Sequence, residues 1–295
     1  MSHLKALVRV FVLTLLSLAF FVARLLLWPV ALASRKRDRC VRRVLLRGWA
    51  YCFAWVAGMR VACIGQAPRP PFYLVSNHVS YLDMLVLARQ TGCIFVSRGD
   101  VEHWPVFGFI ARSLYILFIN RENKRDTARI NRLISETLDE GDGIVVFPES
   151  RVSCGLDVAP FKSPLLQPAV DLDMPVHYAS ISYRTFDGDP NEGALISWWR
   201  PEPFYAHLYR LLRHRGAMAT IHFGEMPVRA EDRKELAARL HEAVRARFKP
   251  LRQAVEATMS PAFPLDVPDH LSAQDQASNE ESNGDARPMA GQGLA

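Results

Sequence analysis

Apolar residues run almost unbroken over residues 7–33, interrupted by Arg9, Arg24 and Pro29. A bilayer span needs about 20 apolar residues, so the stretch is long enough to cross one. A second apolar run, 48–59, carries Trp49, Tyr51, Phe53 and Trp55. It is short for a span, and its aromatics suit either the headgroup region or a core helix of the domain that follows. Gln66-Ala67-Pro68-Arg69-Pro70-Pro71 then reads as a linker.

Beyond the linker, short apolar runs alternate with helical spacing. The run 72–75 has strand character and stops at Ser76-Asn77-His78; Val79, Leu82, Leu85 and Val86 follow at helical spacing. His78 therefore falls in a tight strand-to-helix turn, with Ser80 the expected N-cap and Asp83 in the first helical turn. Residues 83–89 continue as helix, 93–97 as strand, 104–108 opens a helical segment and 114–120 is a buried strand. Residues 126–140 form an amphipathic helix with Ile130, Leu133, Ile134 and Leu138 on one face, closed by Gly141. Strands follow at 143–147, 175–183 and 220–223, then a charged helix over 231–248 with Leu236, Leu240 and Val244 facing inward. Residues 198–204 are mixed and define no element. The alternation predicts an α/β fold: a largely parallel mixed sheet flanked by helices, behind an N-terminal membrane-anchoring helical segment. The chain divides into 1–65, anchor and interfacial helices; 66–257, the globular domain; and 258–295, a polar, Pro-, Ser- and Gly-containing tail expected to be disordered.

Charge adds an orientation. The 36 basic residues exceed the 30 acidic ones, for a net charge of +6. A basic balance suits an anionic partner such as phospholipid, a phosphorylated substrate or nucleic acid. Arg35, Lys36, Arg37, Arg39, Arg42 and Arg43 follow the apolar segment and outweigh Lys5 and Arg9 ahead of it. The positive-inside rule then places the globular domain on the cytoplasmic side of an inner or plasma membrane. Ala31-Leu32-Ala33 resembles a signal-peptide cleavage site, but the apolar run is long for an h-region and contains Arg24. The basic residues lack a nucleic-acid reading motif, so no nucleic-acid partner is expected. The five cysteines show no metal or redox spacing, and no Gly-rich phosphate loop is present, so no metal or cofactor is expected.

The candidate chemistry sits at the strand ends, where α/β sheets bind ligands. Helical side chains lean toward the N-terminus, so the Asp83 carboxylate can reach the His78 ring. A carboxylate on one ring nitrogen fixes the tautomer and leaves the other nitrogen to take a proton from a hydroxyl. A structural His–Asp pair at a helix start has the same spacing. Ser76 and Ser80 offer a nucleophile, though neither lies in a Gly-x-Ser-x-Gly elbow. Arg121, after a strand, is a planar, permanently charged clamp for phosphate. Glu149 also follows a strand.

Asn77-His78 followed by Asp83 resembles the first motif of the glycerolipid acyltransferases, the family that includes the 1-acylglycerol-3-phosphate acyltransferases. Gly108 with Phe118-Ile119-Asn120-Arg121 is similar to the second motif, Phe147-Pro148-Glu149 to the start of the third, and Met174-Pro175-Val176 to the fourth. Phe161-Lys162-Ser163-Pro164 resembles the segment after the third. The likeness covers residues 70–185. It implies a membrane-bound O-acyltransferase with His78 and Asp83 catalytic and Arg121 and Glu149 binding the acceptor; beside it, Arg151 could add a phosphate contact or close the site, and Asn77 is a further substrate-binding candidate. It implies an acyl-CoA or acyl carrier protein donor and a lysophospholipid acceptor, 1-acylglycerol-3-phosphate first, giving phosphatidate. The alternatives are another lysolipid such as a lyso-ornithine lipid, or a membrane-tethered lipid-binding protein without activity. The chain departs from the third motif: Ser150 replaces its glycine and Arg151 stands where threonine is usual. A glycine there can serve positive φ or close approach, so the local backbone is the open question.

Overall fold

The computed structural model describes residues 2–99, 112, 114–120 and 123–252. Three helices lead: α1 (Ser2–Leu26), α2 (Trp28–Ala33) and α3 (Arg35–Val56). Strands β1 (Arg60–Ile64) and β2 (Phe72–Ser76), helix α4 (Leu82–Thr91) and strands β3 (Ile94–Arg98) and β4 (Leu117–Ile119) follow. Next come α5 (Lys124–Asp139), β5 (Gly143–Val146), α6 (Gln167–Asp171), β6 (Val176–Thr185) and α7 (Glu192–Leu195). The last three are α8 (Phe204–Arg213), β7 (Ala217–Phe223) and α9 (Arg233–Arg245).

The described strands form one seven-stranded sheet in the order β1-β7-β6-β2-β5-β3-β4. Neighbours are parallel except β6 and β7. β2 and β5 sit inside the sheet and every residue in them is buried, which is why their sequence reads as unbroken apolar runs. Alternate residues of β2 serve opposite layers. Phe72 and Leu74 pack in the cluster containing Leu46, Leu82, Val86 and Leu211; Tyr73 and Val75 pack with Ile130, Ile134, Leu236 and Leu240. Helices α3, α4 and α8 thus cover one face, and α5 and α9 the other.

Strand β1 pairs with β7 in this sheet, so the sheet begins ahead of the Pro-rich linker, where the sequence marked the end of the anchor. Helix α3 resolves the two readings of the aromatic run by face. Leu46, Ala50 and Ala54, spaced by one turn, are buried against the domain, while Val44, Tyr51 and Trp55 are exposed.

Residues Ser2–Ala33 are long and apolar enough to cross a membrane. Helix α1 is also fixed to the body near both ends. The Arg9 guanidinium donates to the carbonyls of Leu212 (3.1 Å) and His214 (2.7 Å), and Arg24 makes a buried two-point ion pair with Asp38 at 2.5 and 3.1 Å. Between them the Trp49 indole donates to Ser17 at 3.1 Å. Leu4, Leu7, Phe11, Leu15, Leu18 and Val22 form an exposed apolar stripe.

Candidate active site

Strand β2 delivers the chain to the turn, and Asn77 prolongs its pairing with β6. The Asn77 side-chain amide donates to the Ile181 carbonyl (3.0 Å) and its oxygen accepts from the Ile181 N–H (2.7 Å). The amide stands in for a peptide group where the main chain has left the ladder. Asn77, a substrate-binding candidate from the sequence, is buried, and its side-chain amide bonds the backbone of Ile181.

Asp83 closes the turn from the helical side. Its Oδ2 accepts from the N–H groups of Val79 (2.7 Å) and Ser80 (2.9 Å) and lies 2.9 Å from His78 Nδ1. Its Oδ1 accepts from the Tyr183 hydroxyl at 2.7 Å. The carboxylate is 0% exposed. Charge-assisted donors and the positive end of α4 make an ionised carboxylate tolerable there. An ionised Asp83 accepts only, so Nδ1 carries the ring proton and Nε2 presents a lone pair. Among the described residues no group bonds Nε2. The capping differs from the sequence expectation: α4 begins at Leu82, Ser80 Oγ is buried with no partner among the described residues, and Asp83 itself satisfies the turn's N–H groups.

The main chain of His78 is held from a second loop. Its N–H donates to Glu149 Oε1 (2.6 Å), and its carbonyl accepts from the Ser153 N–H (2.8 Å). Its ring stacks on Phe147, with centroids 4.1 Å apart and planes at 15°. Glu149 Oε2 accepts from the Ala159 N–H at 3.0 Å. Both oxygens of this buried carboxyl thus tie strands of chain together. Burial pushes its pKa up to about 8, against the pull of the two N–H donors.

Ser150 takes φ 66°, in the left-handed region, so the third-motif turn keeps a glycine-like backbone with serine in it. Arg151 follows, exposed, on the same loop. Arg121, Gly108 and the segment 104–108 lie outside the described residues, as does the tail 258–295. The structure therefore brings His78, Asp83, Asn77 and Glu149 together, with Arg151 on the loop that holds them.

Two supports had no sequence signal as site residues. Tyr183 reads only as a buried strand aromatic, although a buried phenol needs a hydrogen-bond partner. Ser197 and Trp198 sit at the edge of the unassigned stretch, yet the Trp198 main-chain N–H donates to the Val79 carbonyl (3.1 Å) and Ser197 Oγ to the Ser153 carbonyl (2.9 Å). Tyr81 packs edge-on against Trp198 and Phe204, which joins the turn to α8.

A carboxylate-braced histidine at the carboxyl ends of a mostly parallel sheet is the equipment of a general-base transferase or hydrolase. The acyltransferase family model matches residues 60–182, the segment from β1 into β6. A lyso-ornithine lipid O-acyltransferase of Pseudomonas aeruginosa is 32% identical over 70% of this chain and 78% of its own length. A 1-acyl-sn-glycerol-3-phosphate acyltransferase of Neisseria gonorrhoeae is 36% identical over 40% of this chain and 47% of its own. The crystal structure of the 1-acyl-sn-glycerophosphate (LPA) acyltransferase PlsC from Thermotoga maritima has the same fold, with TM-score 0.63 and 19% identity. It covers 83% of this chain and 95% of that one. The chain belongs to the acyltransferase family.

Proposed function

We propose that the protein moves an acyl chain from acyl-CoA or acyl carrier protein to the free hydroxyl of a membrane lysolipid. The observation that carries this is the His78–Asp83 pair, with Nε2 unengaged among the described residues. In the reaction, Nε2 takes the proton of the acceptor hydroxyl as its oxygen attacks the thioester carbonyl. The tetrahedral intermediate collapses, the C–S bond breaks, and the thiolate recovers the proton from the imidazolium. Asp83 stabilises that imidazolium, and the face of Phe147 lies under it. No metal or redox group enters the scheme.

Lyso-ornithine lipid is the acceptor favoured by the relatives that match along most of the chain. Lysophosphatidate, giving phosphatidate, is the second reading. It is favoured by the second-motif arginine, Arg121, and by the Neisseria relative. Arg121 separates them. A hydrogen bond to a charged group is worth about 1.5–3 kcal/mol, so Arg121→Ala loses roughly 10–150-fold in kcat/KM on a phosphate monoester. It loses little on an acceptor without one. Equal losses on both acceptors would withdraw the phosphate-clamp role.

The exposed stripe of α1 supports anchoring of residues 1–33 in an inner or plasma membrane, and the basic run 35–43 beside it suits the anionic cytoplasmic face, where the active domain then lies. Cleavage after Ala33 would strip Arg24 from the buried Asp38, which supports retention of the segment.

A further inference from the structure

We propose that Tyr183 is a positioning residue of acyl transfer, its phenol holding Asp83 so that Oδ2 stays aimed at His78. The inference rests on the base role proposed for His78. Three donors converge on Asp83 Oδ2: the Val79 and Ser80 N–H groups and His78 Nδ1–H. Among the described residues Oδ1 has one donor, the Tyr183 hydroxyl at 2.7 Å. Both residues are 0% exposed, so solvent does not reach the pair in the folded protein.

Strand β6 thus grips the catalytic turn at both ends. Ile181 holds Asn77 through its main chain, and Tyr183, two residues on, holds Asp83 through its side chain. The pairing is long-range, 100 residues apart in sequence, so the turn is not self-sufficient. A carboxylate with an undonated buried oxygen rotates toward other donors or takes up a proton. Either response spoils the tautomer control that the base needs.

Among the described residues, the titratable groups around Asp83 are His78 and Tyr81 in its own turn, Glu149 from the loop after β5 and Tyr183 from β6. His207 of α8 lies behind Tyr81, bonded to its hydroxyl at 3.1 Å. The Tyr183 phenol draws charge from the carboxylate. Its loss concentrates negative charge opposite His78, so the pair takes up its proton at higher pH.

Tyr183→Phe keeps the ring and removes the donor. In the full-length membrane-bound enzyme it should lower kcat about 10- to 100-fold with little change in KM for either substrate. It should also move the acid limb of the kcat/KM profile upward. Replacing Tyr183 by 3,5-difluorotyrosine strengthens the donor without removing it and should move the same limb downward. If Tyr183→Phe fails to fold by thermal unfolding, the difluorotyrosine enzyme decides alone. A kcat of folded Tyr183→Phe within twofold of wild type, or an acid limb that stays fixed in the folded variants, overturns the proposal. Turnover of His78→Ala against wild type on a lysolipid panel tests the His78 reading separately, because every Tyr183 result is a ratio to wild type.

Discussion

His78 is immobilised through its main chain as much as through its ring. Its N–H, its carbonyl and Nδ1 each have a partner, and its face rests on Phe147. Removing the ring while keeping the backbone therefore isolates the chemistry. His78→Ala should cut turnover by about 10²–10⁴ with thermal stability and membrane association intact, because a positioned base supplies that much. At least half of wild-type turnover in purified His78→Ala would contradict the base role. Ser150 gives a test of opposite sign. At φ 66° a side chain is strained, and glycine at this position relieves about 1–2 kcal/mol while giving back some backbone entropy. Ser150→Gly should stabilise the protein by about 0.5–1 kcal/mol in denaturant unfolding; a lower midpoint would mean that the serine side chain supports the turn. The left-handed turn was legible as a question, since a serine stood where the family motif has glycine. The sequence could not say whether the backbone or the residue gives way.

Between elements, Glu149 links the loop after β5 to the β2–α4 turn. Its raised pKa sets a pH dependence with a definite sign. The native carboxyl holds its proton up to about 8, whereas an unfolded glutamate loses it near 4.3. Native protein therefore binds more protons across that window, and stability falls as pH rises from about 4.5 to 8. Glu149→Gln should flatten this part of the stability curve; equal pH slopes for variant and wild type would contradict it. The same variant separates two roles. A brace for His78 predicts a lower kcat at unchanged acceptor KM, while a direct acceptor contact predicts a higher KM. The β2-turn-α4 unit was legible because a strand pattern gives way to helical spacing across three residues. Helix α8 was not, because prolines at 201 and 203 and mixed polarity obscure its start at Phe204. The partners Ile181 and Tyr183 were invisible as such. They meet the turn across about a hundred residues of chain, a distance that periodicity does not encode.

For the whole molecule, the apolar length of the N-terminal segment was read correctly, and its attachment was not readable. Arg9 and Arg24 look like interruptions of a span, yet Arg9 binds the domain and Arg24 binds α3. Mass spectrometry of the mature protein should find residues 1–33 present; a new N-terminus at Ser34 would contradict the anchor. Arg24→Ala leaves Asp38 buried beside the Tyr115 hydroxyl and should cost about 3–5 kcal/mol, seen as a lower unfolding midpoint in detergent. An unchanged midpoint would show that the helix is not braced there.

Acyl transfer to a lysolipid hydroxyl with His78 as the base can be tested directly. The direct measurement incubates the purified full-length protein and its His78→Ala variant with radiolabelled acyl-CoA or acyl carrier protein. The acceptor panel contains lyso-ornithine lipid, lysophosphatidate and lysophospholipids with larger head groups. Labelled diacyl product from at least one acceptor with the wild type, falling at least about 100-fold in the variant, is the predicted result. No labelled lipid from any acceptor with either donor, or equal product from the two proteins, would contradict it.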